Sequence, residues 1–255
     1  VASARLPHLL DERKVVVETD FAIERIDDER KVLVSYDERE VPFDLLVTVP
    51  VTMGADFVDY IIGDRYVTPF EMAPALAEKI VQLPDTFWPS DPDMPDPEPV
   101  SRAELGLPED AFVFCCFNSN HKIRPVIFDA WMRLLHAIPG SLLWIREGYP
   151  AMNQRFRRQA QNRGIEPSRL HFAGRMPSFA RHLGRQPAAD LFLDTWPYNA
   201  HATASDALLA GLPVVTLRGE SFVSRVSASF LSSLGLEELI ASDMAQYEAI
   251  ARALA

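Results

Sequence analysis

Along the second half of the chain, short unbroken apolar runs alternate with longer segments whose apolar positions recur every three or four residues. The runs AFVFCCFN, SLLWIRE, RLHFAGR, ADLFLDT and PVVTL have the pattern of strands buried on both faces. Between them, PVIFDAWMRLLHAI places Ile127, Trp131, Leu134, Leu135 and Ile138 on one side of a helix. AMNQRFRRQAQNRG reads as a basic helix closed by Gly164, TASDALLAG as one ended by Gly211, and SFVSRVSASFLSSLG as one ended by Gly235. A short helical piece is expected near SFARHLGRQ, and MAQYEAIARAL predicts a final helix. SRAE, Ser101 to Glu104, has the form of a capping box. Strand and helix alternating in this way predict an α/β fold, a Rossmann-like doubly wound parallel sheet with right-handed crossovers.

The first 54 residues follow a different rhythm. KVVVETDFAIERI, RKVLVSYDER and FDLLVTVPV mix Val and Ile with alternating charges and are separated by turn material such as Asp27, Asp28 and Glu29. They predict a small β-rich segment with one wet face. Residues 55–104 form a bridge. TPFEMAPALAEKIVQL reads as a helix, with Thr68 as cap, Pro69 at the first helical position and Glu71 at the positive end. Six prolines between Pro84 and Pro99 then exclude regular structure and predict a semi-rigid linker lying over a surface. Asp91 and Asp93 imitate a metal-binding aspartate pair, but in this acidic, proline-rich setting they read as solvated spacer. Residues 105–255 make up the predicted Rossmann-like domain.

Composition narrows the classes. The chain has 255 residues, is 48% hydrophobic and carries a formal charge of −11 with a pI near 5.0. That balance argues against non-specific binding to nucleic acid or to an anionic membrane, while a local basic pocket for phosphate stays possible. No apolar run reaches transmembrane length, and VASARLPHLL lacks the apolar core of a signal peptide, so a cytoplasmic location is expected. Cys115 and Cys116 are adjacent in a very apolar run and read as buried free thiols. HExxH, CxxC, GxSxG and Walker patterns are missing, and no metal or other cofactor is expected.

In a doubly wound sheet, ligands bind beyond the carboxyl ends of the strands. Three loops there are chemically loaded. FNSNHKIRP offers Ser119 and the cation Lys122, a phosphate site or an ordinary polar loop. His182 and Arg185 lie three apart, suited to a planar base or simply to a solvated face. In NAHATASDALLAG a helix is expected to begin near Thr203, where free N–H groups, hydroxyls and the positive dipole end suit a phosphate. Asp206, one turn in, could accept from ribose hydroxyls. Thr203 could equally be a plain helix cap. In GESFVSRVSASFL, the face carrying Phe222, Val226 and Phe230 reads as core.

Taken together, GLPEDAFVFCCFNSNHKIRP, LLWIRE, ADLFLDTWPYNAHATASDALLAGLPVVTL and GESFVSRVSASFLSSLGLEELIA resemble the C-terminal catalytic half of the O-linked N-acetylglucosamine transferase family, which includes the SPINDLY-like enzymes. GADFVDYIIGDRYVTPFEMAPALAEKIVQLPDTFW extends the resemblance back to about residue 55. It implies the C-terminal lobe of a two-lobed GT-B glycosyltransferase. Such enzymes transfer a sugar, with inversion and without an essential metal, from a nucleotide-sugar such as UDP-GlcNAc to Ser or Thr of a protein acceptor. By resemblance Lys122 neutralises the departing diphosphate, His201 and Thr203 hold the phosphates, Asp206 takes the ribose, and His182 and Arg185 border the uracil. Ser119 stands where animal enzymes carry a glutamine, and Ala202 replaces one of two consecutive threonines. Residues 1–54 resemble instead a fragment of a sulfide:quinone reductase-type flavoprotein, without its GxGxxG or redox cysteine. The expectation is a donor-binding half, in a fused or truncated frame, incomplete without its acceptor lobe. An FAD/NAD-dependent oxidoreductase fragment and a non-enzymatic interaction module are the alternatives.

Overall fold

The computed structural model describes residues 23–35, 39–44, 59–89, 91 and 93–255. Residues 63–69 and 82–255 form one compact unit, and the described residues up to 62 together with 70–81 form another. In the smaller unit β1 (Ile23–Asp27), β2 (Val32–Ser35) and β3 (Glu40–Pro42) make an antiparallel sheet in that order. The acidic cluster does turn the chain, because Asp27 Oδ1 accepts the Arg30 N–H at 3.0 Å. Val32 and Val34 are buried, as alternation demands. The remainder of the expected strands, in residues 14–22, 36–38 and 45–51, lies outside the described residues.

The helix expected over residues 68–83 does not form. A 3-10 segment at Phe70–Ala75 stops around Pro74, which supplies no N–H to continue it. Lys79–Leu83 is then a strand, β5, paired with β4 (Tyr60–Asp64). Its Ile-Val pair and alternating exposure fit a pleated surface better than a helix. Thr68 is not a cap; its hydroxyl donates back to the Asp64 carbonyl at 3.2 Å.

The capping box closes as expected on α1 (Arg102–Leu105), with Ser101 and Glu104 bonding each other's backbone. The larger unit then alternates β6 (Val113–Cys116), α2 (Pro125–Ala137), β7 (Leu142–Arg146), α3 (Pro150–Gln161), β8 (Leu170–Ala173), α4 (Phe179–Gly184), β9 (Leu191–Leu193), α5 (Ala202–Leu209), β10 (Val214–Leu217), α6 (Val226–Ser233), β11 (Ile240–Ala241) and α7 (Met244–Ala253). All six strands are parallel, in the order 11-10-9-6-7-8. The chain winds outward from β6 through β7 to β8, then returns to the other side of β6 with β9. Between β6 and β9 the direction reverses, which opens a crevice at their carboxyl ends.

Burial explains this order. Every residue of β6, β9 and β10 is buried, so these strands need cover on both faces. Helix α2 packs Ile127, Trp131, Leu134 and Leu135 into the core with exposures of 1% or less. Val226 and Phe230 of α6 are core residues, as expected. Trp131 Nε1 donates to the Tyr247 hydroxyl at 3.2 Å, and that hydroxyl donates to the Asp194 carbonyl at 3.0 Å, linking the helix layer to the end of β9. Gly164, Gly211 and Gly235, after α3, α5 and α6, have positive φ, the left-handed conformation that glycine adopts without a Cβ penalty. Over residues 93–100 the proline-rich segment lies on α4, where Glu98 N–H donates to Ala180 and Val100 N–H to Gly184. A Cβ on Gly184 would collide with the Glu98 backbone.

Candidate functional site

The crevice is organised around a buried carboxylate. Asp194, directly after β9, is 1% exposed. Its Oδ1 accepts from the N–H groups of Thr195 (2.7 Å) and Ala200 (2.6 Å), and its Oδ2 from Thr216 Oγ1 (2.7 Å). Residues 195–200, which include a cis Trp196–Pro197 bond, therefore wrap around one carboxylate. Burial pushes the Asp194 carboxyl up to about 6, while these donors pull the other way. Beside it, Asn118 is fixed at both ends: its Nδ2 donates to Thr195 Oγ1 at 2.7 Å, and its Oδ1 accepts from the Thr203 hydroxyl. Asn118 follows β6 and Thr203 sits in α5, so one amide ties the two strands' loops across the switch point.

Lys122 and His201 complete this wall. Lys122 Nζ donates to the Asn199 carbonyl at 2.9 Å and lies 3.8 Å from the centroid of the Tyr198 ring. Burial lowers the ammonium pKa, opposed by the charge of Asp194. His201 is the N-cap residue of α5, which starts at Ala202 rather than at Thr203. Thr203 therefore lies inside the first turn and caps nothing. One His201 ring nitrogen bonds the Val223 backbone, whereas the buried Nε2 has no partner. Burial, with the Lys122 charge, pushes His201 down to about 4, so the ring is neutral at pH 7. A buried nitrogen left unpaired costs free energy that a ligand's hydrogen bond can recover. Ser119 Oγ accepts from Arg146 Nη1 at 3.0 Å, which leaves the hydroxyl proton free to donate.

The opposite wall is flatter. His182 Nε2 lies 3.2 Å from Asp206 Oδ2, and its ring stacks on Phe179 with centroids 5.9 Å apart and an interplanar angle of 24°. Arg185, just past the end of α4, donates to the Gly174 carbonyl at 2.7 Å and lies 4.4 Å over the Phe117 ring, with Trp144 at 5.8 Å. It is 5% exposed, its Nε has no partner, and burial lowers it to about 10, still charged at neutral pH. His182, on α4, and Arg185, just past its end, thus converge on Phe117.

All seven residues named from the sequence (Ser119, Lys122, His182, Arg185, His201, Thr203 and Asp206) lie in the loops and helices that follow the carboxyl ends of β6, β8 and β9. Asn118, which the FNSNHKIRP loop also offers, supports them, together with four residues not singled out from the sequence: Asp194, Tyr198, Arg146 and Phe179. Asp194 had one available signal, an aspartate closing an apolar run, which is unusual unless it is a buried acceptor. Cys115 and Cys116 are buried free thiols, kept protonated by burial. Among the described residues no cluster of three or more His, Cys, Asp or Glu could hold a metal ion, and no helix is long and apolar enough to cross a membrane.

Comparison with known proteins gives consistent likenesses. The sequence model of glycosyl transferase family 41 matches residues 90–255. A probable UDP-N-acetylglucosamine–peptide N-acetylglucosaminyltransferase, SEC of Arabidopsis thaliana, is 36% identical over 213 residues, 81% of this chain and 22% of the relative. The Caenorhabditis elegans UDP-N-acetylglucosamine–peptide N-acetylglucosaminyltransferase is 40% identical over 151 residues, 59% of this chain and 13% of the relative. Among solved structures, a mutant O-GlcNAc transferase of Thermobaculum terrenum superposes with a TM-score of 0.69 at 31% identity, covering 78% of this chain and 38% of that one. The chain thus spans about a fifth or less of the length of these two relatives.

Proposed function

The chain belongs to glycosyl transferase family 41, and we propose that its larger unit is the nucleotide-sugar-binding half of a protein O-glycosyltransferase. The donor in this reading is UDP-GlcNAc or a related nucleotide-sugar, and the acceptor is a protein serine or threonine. The names of the relatives, which pair UDP-N-acetylglucosamine with a peptide, support the donor and an acceptor that is a polypeptide.

The observation that carries the reading is the joint at the switch point. Asn118 holds Thr203 while the Asn199 carbonyl holds Lys122, so a hydroxyl and a cation from different strands face one crevice. The first N–H groups of α5 lie beside them, with no intrahelical acceptor. Transfer breaks the bond between the sugar carbon and the diphosphate oxygen, and negative charge grows on the departing UDP. Donors already in place stabilise that charge without reorganisation. In this scheme Lys122 neutralises the diphosphate. Ser119 donates its hydroxyl proton to it and Thr203 its backbone N–H in the first turn of α5, while His201, whose one ring proton goes to the Val223 backbone, lines the site. Asp206 accepts from the ribose, and His182 and Arg185 border the uracil. Lys122 and the helix start carry the positive charge, so the scheme uses no metal. The likenesses are to glycosyltransferases and give the oxidoreductase alternative no support.

Isothermal titration tests the reading. UDP should bind saturably, and Lys122→Ala should weaken UDP at least about tenfold while leaving uridine unchanged, as expected for losing one charge-assisted contact. Absence of heat at millimolar UDP with the unaltered protein would sink the proposal.

A further inference from the structure

Tyr198 touches both basic groups of the β9 wall. Its ring centroid is 3.8 Å from Lys122 Nζ and 5.2 Å from the His201 ring, tilted by 54°. The side chain is 39% exposed, and its hydroxyl makes no hydrogen bond among the described residues. What Tyr198 presents to Lys122 is therefore the face of a ring. Its own backbone is pinned, since its carbonyl accepts from Thr195 Oγ1 at 2.6 Å, and Thr195 is held in turn by Asn118 and Asp194.

Lys122 needs such a partner. Its stem is long and flexible, and it has no carboxylate within ion-pair distance among the described residues; the one hydrogen bond of its ammonium goes to the Asn199 carbonyl. The groups acting on its charge are Asp194 at the end of β9, Cys116 on β6 and His201 at the start of α5. A carboxylate in contact would fix the ammonium but would also repel a phosphate. An aromatic face attracts the cation through its quadrupole and brings no net negative charge. With one proton on the Asn199 carbonyl and the ring on one side, the ammonium keeps protons to donate.

We propose that Tyr198 is a positioning residue whose ring face holds Lys122, charged and oriented, for the diphosphate of the donor. This rests on the reading that Lys122 contacts that diphosphate. The role is indirect: Tyr198 acts through Lys122 and contributes nothing to recognition of the nucleoside.

The test is UDP and uridine titration from pH 7 to pH 10 with the unaltered chain, Tyr198→Phe, Tyr198→Leu and Lys122→Ala. Tyr198→Leu, apolar but without a π face, should weaken UDP about three- to tenfold at pH 7. It should also move the alkaline fall in UDP affinity to lower pH, because the ammonium loses a group that favours its charge. Tyr198→Phe should retain both values, and uridine affinity should not change in any variant. Tyr198→Leu matching the unaltered chain, while Lys122→Ala loses UDP, overturns the role of Tyr198 alone. Equal loss in Phe and Leu variants overturns it in favour of the hydroxyl, and loss of uridine along with UDP overturns it in favour of loop packing. Lys122→Ala binding UDP normally removes the underlying reading instead.

Discussion

The two walls of the crevice are held by different chemistry. On the β9 side, Lys122 and Thr203 are fixed by polar bonds to Asn199 and Asn118, backed by the buried Asp194. On the α4 side, His182 and Arg185 are held by flat contacts with Phe179, Phe117 and Trp144, with single polar anchors at Asp206 and Gly174. The contrast matches the proposed ligand. A diphosphate needs donors at fixed points, which a buried hydrogen-bond network can place. A base needs a surface to lie against, and ring faces supply one with little directional demand.

Removing the network should have the largest effect. Asp194→Ala leaves the Thr195 and Ala200 N–H groups and the Thr216 hydroxyl without their acceptor in a sealed site. A loss of about 3–5 kcal/mol in unfolding free energy is expected from urea titration. A shift under about 1 kcal/mol would mean that the loop holds itself, and the contrast between the walls would vanish.

The pH dependence of stability comes next. Asp194 titrates near 6 when folded, against 3.8 for an ordinary aspartate. Between about pH 4 and 6 the folded chain therefore holds a proton that the unfolded chain lacks. This group's contribution to stability rises as pH falls through that window and is lost as pH rises through about 6, by on the order of 3 kcal/mol. Asp194→Asn removes the titration, so its stability should change less than the unaltered chain's between pH 5 and pH 7. Identical pH profiles would place the pKa of Asp194 elsewhere.

Arg185→Lys probes the flat wall and should cost least. It keeps the charge but loses the planar face over Phe117. Uridine and UDP should weaken together, about five- to thirtyfold, since about 1–2 kcal/mol of stacking is removed. Loss of UDP alone would move Arg185 to the phosphate side and refute its assignment to the base.

Much of the fold was legible because burial leaves a periodic trace. The apolar runs became β6 to β10, and Ile127, Trp131 and Leu135 faced the core. The segment 68–83 misled because Thr68, Pro69 and Glu71 form a strong helix-start signature, while Lys79–Leu83 pairs with β4, a non-local partner. The two-residue β11 is too short to leave any pattern. At the site, the residues named from the sequence lie in the loops and helices after β6, β8 and β9, and Thr203 differs from its local alternative of a plain cap. Its hydroxyl goes to Asn118, 85 residues earlier.

By itself the sequence determined the layer architecture, the loops that face the crevice and the family likeness, because each is written in local periodicity or in contiguous motifs. The tertiary structure alone decided which groups support those loops. Asp194 becomes a buried anchor, Tyr198 a cation's resting face and His201 a neutral ring with an unpaired nitrogen only when residues distant in the chain close around them. Burial and hydrogen-bond saturation are properties of the packed molecule, and no run of neighbouring residues encodes them.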